Sequence, residues 1–249
     1  MIANLMMYQR PELTGAHDRY WQLIREGLQD AGIENPEFLS QHAEEFFVWK
    51  HPKLVLSQTC GMPYRTWLHD IVELVGTPDF GITGCPPGYY RSALVVRADD
   101  PRTDVEAFRD AMFAYNQTFS QSGYAAPYWH VTPLGFWFEN RLHTDQHLQS
   151  AMAVAEGRAD IASLDAVSWR NIETFEPFAH KLRVLDWTIP TPGLPLITAK
   201  GQNCSAIYIA VEQAISQLAE EDCKRLGIKG IVWIAKDTYM EVLNPPGDT

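Results

Sequence analysis

The chain has 249 residues, enough for one large domain or two small ones, and at 46% hydrophobic and 20% charged it can bury a sizeable core. A formal charge of −11 argues against a nucleic-acid partner, since phosphate contacts need clustered Lys and Arg and no run here is basic. A small anionic ligand stays open, because a pocket obeys its local donors rather than the charge of the whole molecule.

No stretch of about 18 apolar residues occurs, so the sequence predicts no membrane span. The start, "MIANLMMYQRPELTG", lacks a basic segment, a long apolar stretch and a small-residue cleavage site. As the sequence stands it reads as cytoplasmic, and as periplasmic if a leader has been removed. Cys60, Cys85, Cys204 and Cys223 are far apart and form no CxxC pair, which predicts free thiols and no metal site. No cofactor motif is present.

In chain order, "IANLMMY" suits a buried strand ending at Arg10-Pro11. Tyr20, Leu23, Ile24 and Leu28 recur at helical spacing, with Gly32 as the stop. Leu54 to Leu56 reads as a second strand that enters a polar loop, and a helix is expected through Trp67, Ile71 and Leu74. "GYYRSALVVRADDP" predicts a strand of alternating character, and "TDVEAFRDAMFAYN" a helix with Thr103 as N-cap and Glu106 at the capping-box position. "TDQHLQSAMAVAEG" predicts a helix, "ADIASLDAVSW" a strand breaking at Asp165, and "LRVLDWTIP" another strand. "AIYIAVEQAISQLAEEDCKRLG" resumes helix. Strands alternating with helices predict an α/β protein, in which ligands sit at the loops following strands.

Several of those loops carry ligand-type residues. Ser120, Gln121 and Ser122 followed by Gly123 precede an expected helix start, where hydroxyls and unsatisfied N–H groups make an anion site. The plainer alternative is a surface capping turn. Ser57 and Gln58 open the polar loop after the second strand; Tyr8 and Tyr90 lie near strand ends and offer a stacking face and a donor. Arg91 could clamp an anion with its planar fork or form a surface ion pair. His147, on the first turn of its helix together with Ser150, and Asp165, at a strand end, are ligand candidates or ordinary structural groups. No GxSxG elbow, Walker loop or HExxH occurs, so no catalytic residue is assigned. Cys60 as a nucleophile with His147 as base is the enzymatic alternative.

Read together, "LMMYQRP", "GYYRSALVVR", "YNQTFSQSGYAAP" and "HLQSAMAVAEGRADIASLDAVSW" resemble, in this order, the type II periplasmic-binding-protein family, in its phosphate/phosphite/phosphonate branch of ABC-transporter substrate-binding proteins. The resemblance covers nearly the whole chain. It implies a two-lobe α/β fold with an interlobe ligand cleft: lobe one from 1–92 plus 195–249, lobe two from 93–194. Ser120 and Ser122 match the family's anion-holding hydroxyls, His147 its ligand-facing His, Asp165 its acidic recognition residue, Tyr8 its first-strand aromatic and Tyr90 a crossover tyrosine. Gln121 stands where the family usually has Thr, and the expected signal peptide and lipid-attachment cysteine are absent from this sequence.

The resemblance thus implies a non-enzymatic solute-binding protein for a phosphonate, phosphate or phosphate ester, with an ABC-transporter permease as partner. An enzyme or a cytoplasmic ligand sensor on the same fold is the alternative. Ser57, Gln58 and Arg91 join the expected site from outside the family motif.

Overall fold

The computed structural model describes residues 1–247 and divides into two compact units. The first takes Met1–Tyr89 and Pro192–Glu241; the second takes Tyr90–Thr191 and the tail from Val242. The tail departs from the expected boundaries: it belongs to the second unit, where Trp129 Nε1 donates to the Leu243 carbonyl at 3.0 Å.

The strands are β1 (Ile2–Asn4), β2 (Leu54–Gln58), β3 (Val72–Asp79), β4 (Tyr89–Tyr90), β5 (Ser92–Arg97), β6 (Phe113–Tyr115), β7 (Arg141–His143), β8 (Ile161–Asp165), β9 (Leu182–Trp187), β10 (Thr191–Pro192), β11 (Leu196–Ala199) and β12 (Gly230–Val232).

In the first unit the sheet order is β1-β2-β11-β3-β12. β1 and β2 run parallel, whereas β11 is antiparallel to both β2 and β3. The helix Thr14–Asp30 buries Ala16, His17, Tyr20, Trp21, Ile24 and Leu28, one stripe at helical spacing. That stripe packs on the helix Cys204–Gln217, so closely that a Cβ on Gly27 would stand 2.9 Å from Ala210 Cβ. Each fully buried Ile or Leu of this kind contributes roughly 1.5–3 kcal/mol.

In the second unit the order is β7-β6-β8-β5-β9. β7, β6 and β8 are mutually parallel neighbours; β5 runs antiparallel to β8 and β9. Both faces are covered. Ala93 and Val95 belong to one core cluster, Leu94 and Val96 to another, which is why this strand reads as an unbroken apolar run.

Four expected elements come out differently: the strand expected over "IANLMMY" stops at Asn4, and Met6–Tyr8 is a 3-10 turn. The helix through Trp67, Ile71 and Leu74 ends at Leu68, and Val72–Asp79 is β3, an interior strand between β11 and β12. Val72, Leu74 and Val75 gain more from a sheet buried on the core than from a helix stripe. The helix expected over 103–116 is a short 3-10 turn, Val105–Phe108, capped by Asp104 rather than Thr103 and followed by β6. The long C-terminal helix is two, Cys204–Gln217 and Glu220–Leu226, separated at Leu218-Ala219 where the backbone turns extended.

Candidate functional site

In the second unit the parallel strands β6, β7 and β8 end at one edge of the sheet, at Tyr115, His143 and Asp165. β6 and β7 then enter a loop and a helix, and β8 passes straight into a helix, the geometry that places ligand groups beyond the carboxyl ends of strands. Because β5 is antiparallel, its first residue Ser92 pairs with Asp165, so Tyr90 and Arg91 arrive at the same edge. Tyr90, Arg91, Ser120, Gln121, Ser122, His147 and Asp165 are therefore gathered there by topology, though the sequence spreads them over 76 positions.

The loop after β6 forms one wide π-type turn, Gln121–Ala125, continuing into the helix Ala126–Val131. Ser120 caps it: its Oγ accepts from the Gly123 N–H at 3.0 Å, and its carbonyl accepts from the N–H groups of Tyr124 and Ala125. Its hydroxyl proton remains available to donate. Ser120, Gln121 and Ser122 are 4%, 2% and 3% exposed, so this is no surface turn. Gly123 is required by close approach, since a Cβ would overlap the Asn116 side-chain oxygen.

Ser122 is held from two sides. Its carbonyl accepts from Ser163 Oγ at 2.6 Å, and its Oγ lies 2.9 Å from His147 Nε2. His147 opens the helix His147–Ala155, whose N-cap Gln146 makes no side-chain cap bond. Burial pushes the imidazole down to about 4, the Ser163 backbone offsetting a part of that effect. His147 is neutral at pH 7. Its neighbour one turn on, Ser150, bonds Thr144 Oγ1 at 2.6 Å and fastens the β7-to-helix turn.

Asp165 is buried and caps the helix Ala166–Phe175, with Oδ1 accepting from the N–H groups of Val167 and Ser168 at 2.7 and 3.1 Å. The guanidinium of Arg91 stacks on the Trp187 ring, 4.3 Å from its centroid. Arg141 donates to the Tyr124 hydroxyl at 2.7 Å, bracing the loop from β7.

The three remaining candidates lie in the first unit, beyond the carboxyl ends of its parallel pair or within their last residues. Tyr8 ends the short turn Met6–Tyr8 after β1 and packs edge-on against Phe80, ring centroids 5.0 Å apart. Ser57 and Gln58 extend β2 beyond Leu56 and are buried; Gln58 Nε2 donates to the Leu194 carbonyl at 3.1 Å. Cys60 is buried beside them in sequence, at the start of Gly61–Pro63. Among the described residues no three His, Cys, Asp or Glu side chains come together as a metal site, and no helix is long and apolar enough to cross a membrane.

Sequence reasoning passed over Ser163 and Asn116. Ser163 sits inside the apolar run "DIASLD", where a hydroxyl with 0% exposure must find a partner. That embedded serine was the available signal. Asn116 had none, because only the fold brings it against Gly123.

The sequence pattern of the family described as "ABC transporter, phosphonate, periplasmic substrate-binding protein" matches residues 73–239. Among curated proteins no relative matches in sequence. Similar solved structures include a Xanthomonas citri protein bound to ATP, 15% identical over 97% of this chain and 93% of that one, at a TM-score of 0.71. PhnD1 from Prochlorococcus marinus, in complex with methylphosphonate, is 13% identical over 96% and 94%, at 0.70. A binding-protein component of an ABC phosphonate transporter from Pseudomonas aeruginosa is 16% identical over 96% and 83%, at 0.65. At these identities the structures speak to the fold, and the pattern over more than half of the chain speaks to descent. The chain belongs to the phosphonate-type periplasmic substrate-binding proteins of ABC transporters.

Proposed function

We propose that this protein is a non-enzymatic solute-binding component that holds the phosphonate or phosphate group of a small ligand on the loop Ser120–Gly123. The observation that carries the reading is a buried run of hydroxyl and amide groups at the start of a helical segment, supported from β8 and from His147. First-turn N–H groups have no intrahelical acceptor, and neutral donors aimed at one point suit an anion that must later be released. Asp165, Tyr90 and Arg91 at the same sheet edge are the groups we assign to the remainder of the ligand. Delivery to a permease, and residence in the periplasm of the mature protein, follow from family membership as parts of the same reading.

Titration calorimetry with methylphosphonate and inorganic phosphate tests it. Saturable binding without consumption of the ligand is expected. Ser122→Ala should weaken binding by roughly 1–3 kcal/mol, the range for a hydrogen bond to a charged group. Gln121→Thr restores the family's usual residue and should move selectivity toward phosphonates. Unchanged affinity in Ser122→Ala removes the loop from the site.

One observation favours an enzyme instead: Ser122 Oγ and His147 Nε2 stand at the separation of a nucleophile and its base. A base held near 4 is weak at neutral pH, which favours the binding reading. Recovery of ligand unchanged after prolonged incubation separates the two.

A further inference from the structure

Arg91 is a cation that the protein leaves unspent. Arg10, Arg97, Arg102, Arg158 and Arg225 each reach a carboxylate within 3.3 Å. Among the described residues nothing accepts a hydrogen bond from the Arg91 guanidinium, although the chain carries 31 Asp and Glu against 20 Lys and Arg.

The group is nevertheless held in place. Ala93 pairs with Trp187 on β9, so Arg91, two residues earlier on the same face, takes the diagonal position. Its guanidinium carbon lies 4.3 Å from the Trp187 ring centroid. Nε is buried without a partner, whereas the terminal nitrogens are not buried and the residue as a whole is half-buried. Stacking covers a face of the guanidinium and leaves its N–H groups, which lie in the plane, open to a carboxylate through two parallel bonds.

The head-group loop lies elsewhere on the sheet. Ser122 is tied to Ser163 on β8, and the order β8-β5-β9 puts Trp187 two strands away, about 10 Å at ordinary strand spacing. A guanidinium held on Trp187 therefore serves a different group from the one on Ser122. Asp165, at the end of β8, spends Oδ1 on the N–H groups of Val167 and Ser168.

We propose that Arg91, held on Trp187, is a specificity-determining residue: it makes the ligand a phosphonate or phosphate with a second anionic end, a carboxylate. A ligand ending in an ammonium meets Arg91 as a like charge and is turned away. The inference rests on the loop reading given above and adds the chemical class of the rest of the ligand.

Titration calorimetry of the full chain compares three sets of probes on one phosphonate head: ethyl- to butylphosphonate, phosphonoacetate to 4-phosphonobutyrate, and 2-aminoethylphosphonate. At one chain length or more the carboxylate should bind about ten- to a hundredfold more tightly than the alkylphosphonate with as many carbons, the range for a hydrogen bond to a charged group. 2-Aminoethylphosphonate should bind more weakly than ethylphosphonate. The ratio of carboxylate to alkyl affinity is the quantity read in the variants. Arg91→Gln removes the charge and should bring the ratio to about one, on the same grounds. Trp187→Leu should lower it, and Trp187→Phe, which keeps a ring beneath the guanidinium, should retain most of it. A ratio near one in the parent chain overturns the proposal. So does a ratio that survives Arg91→Gln, including through an equal loss for both ligands, which would put Arg91 on the head group. Should Arg91→Gln not fold, Arg91→Lys replaces it: an ammonium has no planar fork, so the ratio should fall, and an unchanged ratio overturns the proposal. A chain that binds the alkyl series without preferring the carboxylates loses only this inference; one that binds none of the probes loses the loop reading as well.

Discussion

Ser163 donates its hydroxyl to the carbonyl of Ser122 at 2.6 Å, across 41 positions of sequence, and so ties strand β8 to the loop that follows β6. Both residues are buried, Ser163 completely. The bond sets the height of the loop above the sheet and with it the direction of the Ser122 hydroxyl toward His147.

Ser163→Ala removes the donor and leaves a buried carbonyl without its partner. A loss of about 1–3 kcal/mol in stability is expected from urea denaturation at pH 7. Methylphosphonate affinity should fall as well, although Ser163 is not placed in contact with the ligand. Full affinity in a destabilised Ser163→Ala would show that the loop holds its position without β8.

Gly123→Ala is predicted to be worse for binding than for folding. The added methyl overlaps the Asn116 side chain and presses on His147 Cε1, so the loop must shift. Overpacking of this kind costs about 1–3 kcal/mol in stability. Calorimetry should show methylphosphonate binding abolished or greatly weakened in a variant whose circular dichroism is unchanged. Asn116→Ala in the same chain opens space and should restore part of the stability.

Two histidines make stability depend on pH. Burial holds His17 and His147 at about 4 in the folded chain, against 6.5 when unfolded. Between those values the unfolded state binds more protons, so stability is complete above 6.5 and declines as the pH falls toward 4. The slope is about 1.4 kcal/mol per pH unit for each fully shifted histidine. Urea midpoints measured from pH 7 to 4.5 should fall accordingly, and the His17→Gln, His147→Gln double variant should flatten the profile over that window.

In the first unit Tyr239 is predicted to matter through its hydroxyl. It lies 2.6 Å from Thr77 Oγ1 and donates to the Gly193 carbonyl at 3.0 Å, so Thr77 must be the donor in the first bond. Burial raises the phenol far above its usual range, which keeps that proton in place at every working pH. Tyr239→Phe should cost about 1–3 kcal/mol in denaturation experiments, because Thr77 loses its acceptor and a buried carbonyl loses its donor. A stability equal to the parent chain would mean that Thr77 and Gly193 find other partners.

Much of this protein is legible residue by residue. The stripe from Tyr20 to Leu28 declares its helix, the run "ALVV" declares a strand though not its burial on both faces, and the ordered set of segments from "LMMYQRP" to "ADIASLDAVSW" declares the family. Those signals are local: periodicity, caps and short motifs act over a turn or two of chain. Strand β3 was hidden because Val72, Leu74 and Val75 suit helix or strand equally until β11 and β12 pair on either side. Ser120 declared a hydroxyl near a helix start, yet nothing in its neighbours said that it would be buried and spent on capping Gly123. The contacts of Ser122 with Ser163 and His147, and the approach of Asn116 to Gly123, belong to the tertiary structure alone. They join residues that share no local pattern; the pairing of β6 with β8 brings Ser163 to Ser122, and the pairing of β6 with β7 brings His147.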